Sequence, residues 1–296
     1  MPVRRQAFQA TLAAQANQAF EAARAGQIQP AGPVSSQISA IGGRHLWRSG
    51  GSRQVESHAR GHLVYAASGV LTVHTEHGTS IVPADRIAWT PADFAHQHRS
   101  HGETDMRIVF LTPALARRIP ARPAVFLASG LAREVLLALT GPQSIPGEDE
   151  NGLHDDMGPP GYDRAARSRL LRVLVDELRE VHEQPLVLPE PQDDRLRALA
   201  RTLHNDPADT TSLAEHGRAI GASPRTLSRL FHDELGLTFY EWRQQLRIYH
   251  ALVFLAEGRD VTQTAHACGW ANPSSFIAAF TSVLGTTPGR YRPAKG

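Results

Sequence analysis

The sequence has little with which to build covalent cross-links or membrane structure. Its 296 residues include one cysteine, Cys268, so an intramolecular disulfide and a four-cysteine zinc site are both excluded. No apolar run reaches the ~18 residues of a membrane span. The N-terminus lacks the apolar core of a secretory signal. The chain therefore reads as cytoplasmic, with no membrane partner. Lysine is nearly missing too: Lys295 is the only one, so basic charge rests on arginine. Arginine suits planar, bidentate contacts, although a GC-rich genome produces the same usage. Finally, 31 basic against 29 acidic residues leave a net charge of only +2. That surplus does not identify a nucleic-acid binder, so any such claim must come from motifs.

Hydrophobic residues make up 41% and charged residues 20% of the chain, enough for a packed, soluble core. The length allows two domains at roughly 100–200 residues each. Residues 1–49 read as an N-terminal arm. They hold one thin helical stripe (Phe8, Leu12, Ala16, Phe20) and then a Gly/Pro-rich loop. Residues 50–140 form a β-rich domain with short strands at Leu63–Ala67, Val70–Glu76, Thr79–Val82, Arg86–Thr90 and Met106–Leu111. A helix over 129–139 follows, capped by Ser129 and stopped by Gly141. Residues 141–192 read as an acidic, Gly/Pro-rich loop, an amphipathic helix over 163–182 and a proline-stiffened linker. The helix edge Leu170, Leu174, Leu178 and Val181 suggests a dimerisation seam. Residues 193–296 are helical in period. They carry 12 Lys+Arg and 10 Asp+Glu, so the whole positive excess lies there.

That last segment repeats at an offset of 49. Pro224 matches Pro273, Leu227 matches Phe276, Phe231 matches Phe280, and Leu235-Gly236 matches Leu284-Gly285. Each copy reads as a helix, a Gly-containing turn and a second helix. Ser223 and Asn272 stand at N-cap positions, with Pro224 and Pro273 at the first helical position. Two such units joined by a helix over 240–256 argue for paired helix-turn-helix elements.

SPRTLSRLFHDELGLTFYEWRQQLR (223–247), followed by CGWANPSSFIAAFTSVLGTTPGRYR (268–292), closely resembles the AraC/XylS DNA-binding domain. The resemblance covers about residues 193–293. It implies a transcription regulator whose two recognition helices, Pro224–Leu235 and Pro273–Leu284, enter successive major grooves. Arg225, Ser228 and Arg229 then match base-contacting positions, with Thr226 beside them. Asn272, Ser274 and Ser275 are the candidates of the second unit, and Arg247 is a candidate phosphate partner. Ala278 occupies the second unit's equivalent of Arg229, so the second helix is expected to position more than it specifies. Double-stranded operator DNA is the implied partner, together with a homodimer and RNA polymerase.

Eight of the 15 histidines lie between His45 and His101. Gly50, Glu56, His58, His62 and Gly69 resemble the first cupin motif with its first His and its Glu exchanged. Pro91-x-Asp93-x2-His96 resembles the second, with Asp93 in place of its glycine. Glu56, His58, His62 and His96 would suit a divalent transition metal such as zinc, iron, nickel or manganese; equally, they are polar lining of an effector pocket walled by Tyr65, Trp89 and Phe110. His74, His77, His98 and His101 read as strand-surface or loop residues. The fold expected is α+β and multidomain: a cupin-like β-barrel, then helices, then an all-α domain with two helix-turn-helix units. The competing function, a metal-dependent cupin oxygenase or isomerase with a helical appendage, has no use for the tandem repeat. The chain is therefore read as a DNA-binding regulator that senses a small molecule or metal, and not as an enzyme.

Overall fold

A computed structural model of the protein describes residues 42–48, 52, 55–75, 78–141, 162–181 and 187–292. The helix expected over 3–25 and the loop of 142–161 lie outside these residues. The described chain forms two compact units, one carrying most of the sheet over residues 42–75 and 80–181, the other made of residues 187–292 together with Gly78 and Thr79.

The sheet unit contains β1 (Gly42–Trp47), β2 (His62–Thr75), β3 (Gly78–Pro83), β4 (Arg86–Thr90), β5 (His96–Phe110) and β6 (Ala124–Leu127). Three helices accompany them: α1 (Pro113–Ala116), α2 (Gly130–Thr140) and α3 (Arg164–Glu180). The strand order runs β1-β5-β2-β3, and β4 branches from β2 to pair with β6. No described pairing returns to β1, so the expected closed barrel is an open antiparallel sheet.

The two strands expected on either side of Gly69 are one. β2 runs through, with register shifts between Ala66 and Val70. Gly69 sits at φ +77, where an added Cβ would lie 2.4 Å from the Thr104 hydroxyl, so only glycine fits this bulge. The shift reverses side-chain parity. Val64 and Ala66 share a core with Leu71 and Val73, together with Met106, Ile108 and Phe110 of β5. Leu63, Tyr65, Ile87, Trp89 and Val109 face the other way and pack under α2 and α3. β5 begins ten residues earlier than its apolar part, because HQHRSH is polar on both faces and hides its alternation. β1 and β6 were not anticipated.

α2 and α3 form as expected, each with its cap: Ser129 accepts from Ala132 N and Asp163 from Ala166 N. Only the middle of the expected seam is covered within the monomer. Leu174 and Leu178 are buried in the monomer's own core beside Leu136 and Leu139 of α2, while Leu170 and Val181 of the same edge are half-buried.

The second unit contains α4 (Asp194–Asn205), α5 (Leu213–Ala219), α6 (Pro224–Leu235), α7 (Phe239–Ala256), α8 (Val261–Ala267) and α9 (Pro273–Leu284), then a single 3-10 turn, Pro288–Tyr291. Ser223 accepts from Thr226 N and Asn272 from Ser275 N, while Gly236 and Gly285 end their helices in the left-handed conformation. α7 is fixed at its start by a reciprocal Thr238–Glu241 capping box. Leu196, Leu203, Leu227, Phe231, Trp242 and Leu246 form one core. Trp242 Nε1 donates to Pro189 O at 2.9 Å. Cys268 is fully buried, and burial pushes its thiol up to about 12, which keeps it unreactive. Among the described residues, no helix is long and apolar enough to cross a membrane.

Candidate functional site

Two places in the molecule gather polar side chains against the grain of their surroundings. The first is inside the sheet unit. His62 opens β2 and pairs with Phe110; His96 opens β5 and pairs with Thr75. The two residues stand at opposite ends of a ladder that would span about 43 Å if flat. Their ring centroids are nevertheless 4.7 Å apart, so the ladder curls until its ends meet. Glu56 and His58 reach the same point from the segment before β2. There Glu56 and His96 exchange backbone hydrogen bonds of 2.9 Å in both directions. Asp93, which replaces the motif glycine, adopts φ +63 and donates its N–H to His58 O at 2.7 Å. The turn thus keeps the glycine conformation at some backbone cost.

The rings of His58, His62, His96 and His98 pack at centroid distances of 4.7 to 5.5 Å, T-shaped except for the tilted His62–His96 pair. One Glu56 oxygen lies 3.7 Å from His58 Nε2, 3.8 Å from His96 Nε2 and 3.7 Å from His98 Nδ1. Two sets of three donors lie within 4.8 Å of one another: His58, His62, His96, and Glu56, His96, His98. His98, assigned to the surface from sequence, is buried in the cluster. The signal was available: His96 and His98 are two apart on a strand and share a face. His74 and His101 are also buried, and both contact the Thr72 hydroxyl, at 3.3 and 3.2 Å.

The Phe94 carbonyl accepts from His96 Nδ1 at 2.9 Å. That bond fixes the tautomer and leaves Nε2 as a bare lone pair aimed at the cluster, which is how backbone partners orient metal-binding imidazoles. Burial, reinforced by the neighbouring His98, lowers the His96 pKa to about 3. His96 is therefore neutral at physiological pH, the form coordination requires. Imidazoles with one carboxylate suit a borderline transition metal, so the donor set fits such an ion.

Of the three aromatic residues expected to wall this site, one does so. The Phe110 ring lies 5.6 Å from His58 and 5.5 Å from His62. Tyr65 and Trp89 have the opposite strand parity and lie under the helices, where Tyr65 OH donates to Ala84 O and Trp89 Nε1 to Pro120 O.

The second place is the outer face of α6. Arg225, Ser228 and Arg229 are exposed, opposite the buried Leu227 and Phe231. Thr226 is half-buried and tied into the N-cap through Ser223 Oγ at 2.8 Å. On α9, Ser274, Ser275, Ile277 and Ala278 are exposed opposite Phe276 and Phe280, while the Asn272 side chain is occupied as the cap. Arg247 is not a free cation for phosphate. Its guanidinium donates to Pro207 O at 3.0 Å and Asp209 O at 2.9 Å and so holds the α4–α5 connection.

A pair of capped helices in repeated register, one with an exposed arginine face, defines a DNA-binding helix-turn-helix protein. The matching family model agrees: a helix-turn-helix domain over residues 217–294. The chain is 30% identical over 237 residues to the HTH-type transcriptional regulator NimR of Escherichia coli, covering 80% of this chain and 81% of that one. It is 38% identical over 103 residues to the HTH-type transcriptional regulator RipA of Corynebacterium glutamicum, covering 35% and 31%. It is 27% identical over 128 residues to the arabinose operon regulatory protein of Escherichia coli, covering 42% of each. The chain belongs to the AraC family of transcriptional regulators. It is a DNA-binding regulator and not an enzyme.

Proposed function

We propose that α6 and α9 are two recognition helices reading successive major grooves of an operator, and that the sheet unit controls them by binding an effector at the histidine cluster. The single observation that supports the DNA reading is the exposed Arg225–Arg229 face on a helix whose buried side, cap and terminator recur 49 residues later in α9. Two arginines one turn apart suit bidentate contact with guanine O6 and N7. Sensing rests on the cluster: five polar groups gathered in an apolar unit need a reason, since burying polar groups is costly.

The effector is a divalent transition metal or a small molecule that meets one there. Glu56, His58, His62, His96 and His98 would hold the metal, with Phe110 beside them. A bound cation would supply fixed positive charge and a tie between residues 56–62 and β5. A signal changes DNA affinity only through different affinities for two states of the protein. A second copy and RNA polymerase rest on the family resemblance. The cupin-like reading of the sheet rests on the motif spacing around Glu56 and Asp93.

Arg229→Ala is expected to weaken operator binding by about 1–3 kcal/mol and relax specificity at one base. A footprint on the natural promoter that survives this change unaltered would remove α6 from the groove. His58→Ala with His62→Ala is expected to abolish the response while leaving DNA affinity intact. Plasma mass spectrometry of tag-free protein reads the metal directly. Less than about a tenth of an equivalent, with no uptake on titration, would leave only an organic ligand.

A further inference from the structure

We infer that the two recognition helices read different base chemistry, and that α9 reads thymine methyl groups through Ile277 and Ala278. This rests on the proposed placement of α9 in a major groove. The 49-residue repeat sets the two helices in one register: Arg225 corresponds to Ser274, Ser228 to Ile277 and Arg229 to Ala278. Both helices bury the same side, through Leu227 and Phe231 in α6 and Phe276 and Phe280 in α9. The opposite faces are therefore equivalent in position. They are unlike in chemistry.

Every charged group of the α6 face is gone from α9, whose twelve residues, PSSFIAAFTSVL, contain none. What stands on the exposed arc is two hydroxyls (Ser274 and Ser275), one methyl (Ala278) and one branched alkyl group (Ile277, 37% exposed). No side chain there can make the bidentate donor pair that recognises guanine. The major-groove edges of the four base pairs carry a single protruding apolar group, the C5 methyl of thymine, and apolar side chains contact it. Ile277 and Ala278 are complementary to that group and to no hydrogen-bonding edge. Ser274 accommodates a hydroxyl contact without choosing the base. The operator follows as asymmetric: guanines under α6 and a thymine-rich run under α9. Specificity in the second half comes from contact area, not charge.

Thymine-to-deoxyuridine scanning tests this, because the exchange removes the methyl and nothing else. The full-length protein is titrated against duplexes of the footprinted promoter in which each protected thymine is replaced in turn. At two or three adjacent positions the change is expected to weaken binding about three- to fivefold per methyl, the scale of one buried CH2. At those same positions Ile277→Ala or Ala278→Gly should shrink the loss, while Arg229→Ala should leave it unchanged. Circular dichroism confirms that the variants fold. Losses that persist undiminished in both α9 variants, or uracil scanning that shifts affinity nowhere, overturn the inference. Ala278→Arg separates the two levels. If it alters affinity or footprint while uracil scanning is silent, α9 is in the groove and reads no methyls. If Ala278→Arg and uracil scanning both change nothing, the placement of α9 falls together with the inference.

Discussion

His101 shows how much a single buried imidazole can govern. It is fully enclosed, and burial, helped by Arg99 and His74, lowers its pKa to about 3. The unfolded chain protonates near 6.5. Between those values the unfolded state binds more protons, so stability is complete above about pH 6.5 and falls as pH drops toward 3. The slope is at most about 1.4 kcal/mol per pH unit for one such group. Thermal unfolding followed between pH 7.5 and 4.5 should show the sheet unit losing stability, with a shallower dependence in His101→Asn. An unchanged slope in the variant would assign the acid sensitivity elsewhere. The sequence displayed the histidines but not their burial. Strand parity sets His98 beside His96, but His98 and His101 sit among Gln, Arg and Ser, and the curl of the ladder turns that polar run inward.

Elements were legible where local chemistry alone decides them. Ser129, Ser223 and Asn272 cap the helices they were expected to cap, because a side-chain oxygen two or three residues from free amides acts locally. What sequence could not show is what lies across an element. Gly69 looked like a turn, yet it is a bulge imposed by Thr104 on the neighbouring strand. Leu174 and Leu178 looked like a seam, yet α2 and the sheet cover them. Leu174→Ala should therefore cost about 2–5 kcal/mol in denaturant unfolding of the sheet unit, the range for a buried leucine cavity. Leu174→Asp should give insoluble protein, not soluble monomer. A soluble, folded aspartate variant would restore the seam.

The two units set the response of the whole molecule. If the histidine cluster holds a metal, the ion stabilises only the unit that contains it, by RT ln(1 + [L]/Kd), about 4 kcal/mol at a thousandfold excess over Kd. Calorimetry of the full chain should show one transition moving upward with added zinc or nickel while the helical unit's transition stays in place. A shift of both by the same amount would mean that the units unfold as one. The absence of any net charge signature, noted from composition, also makes sense at this scale. Arg225 and Arg229 sit on one face, whereas Arg243 and Arg247 bond to backbone carbonyls. Counting charges could not separate those roles.

α7 has a metrological consequence. Its eighteen residues make a rod of about 27 Å, and every residue from His250 to Ala256 is buried. The rod cannot stretch, slip or bend without opening the core. With α6 and α9 in successive grooves, as proposed, the interval between them is a gauge block cut to one length. On that placement, inserting one base pair between half-sites would turn the far site by about 34° at roughly 10.5 base pairs per turn, and binding is expected to weaken.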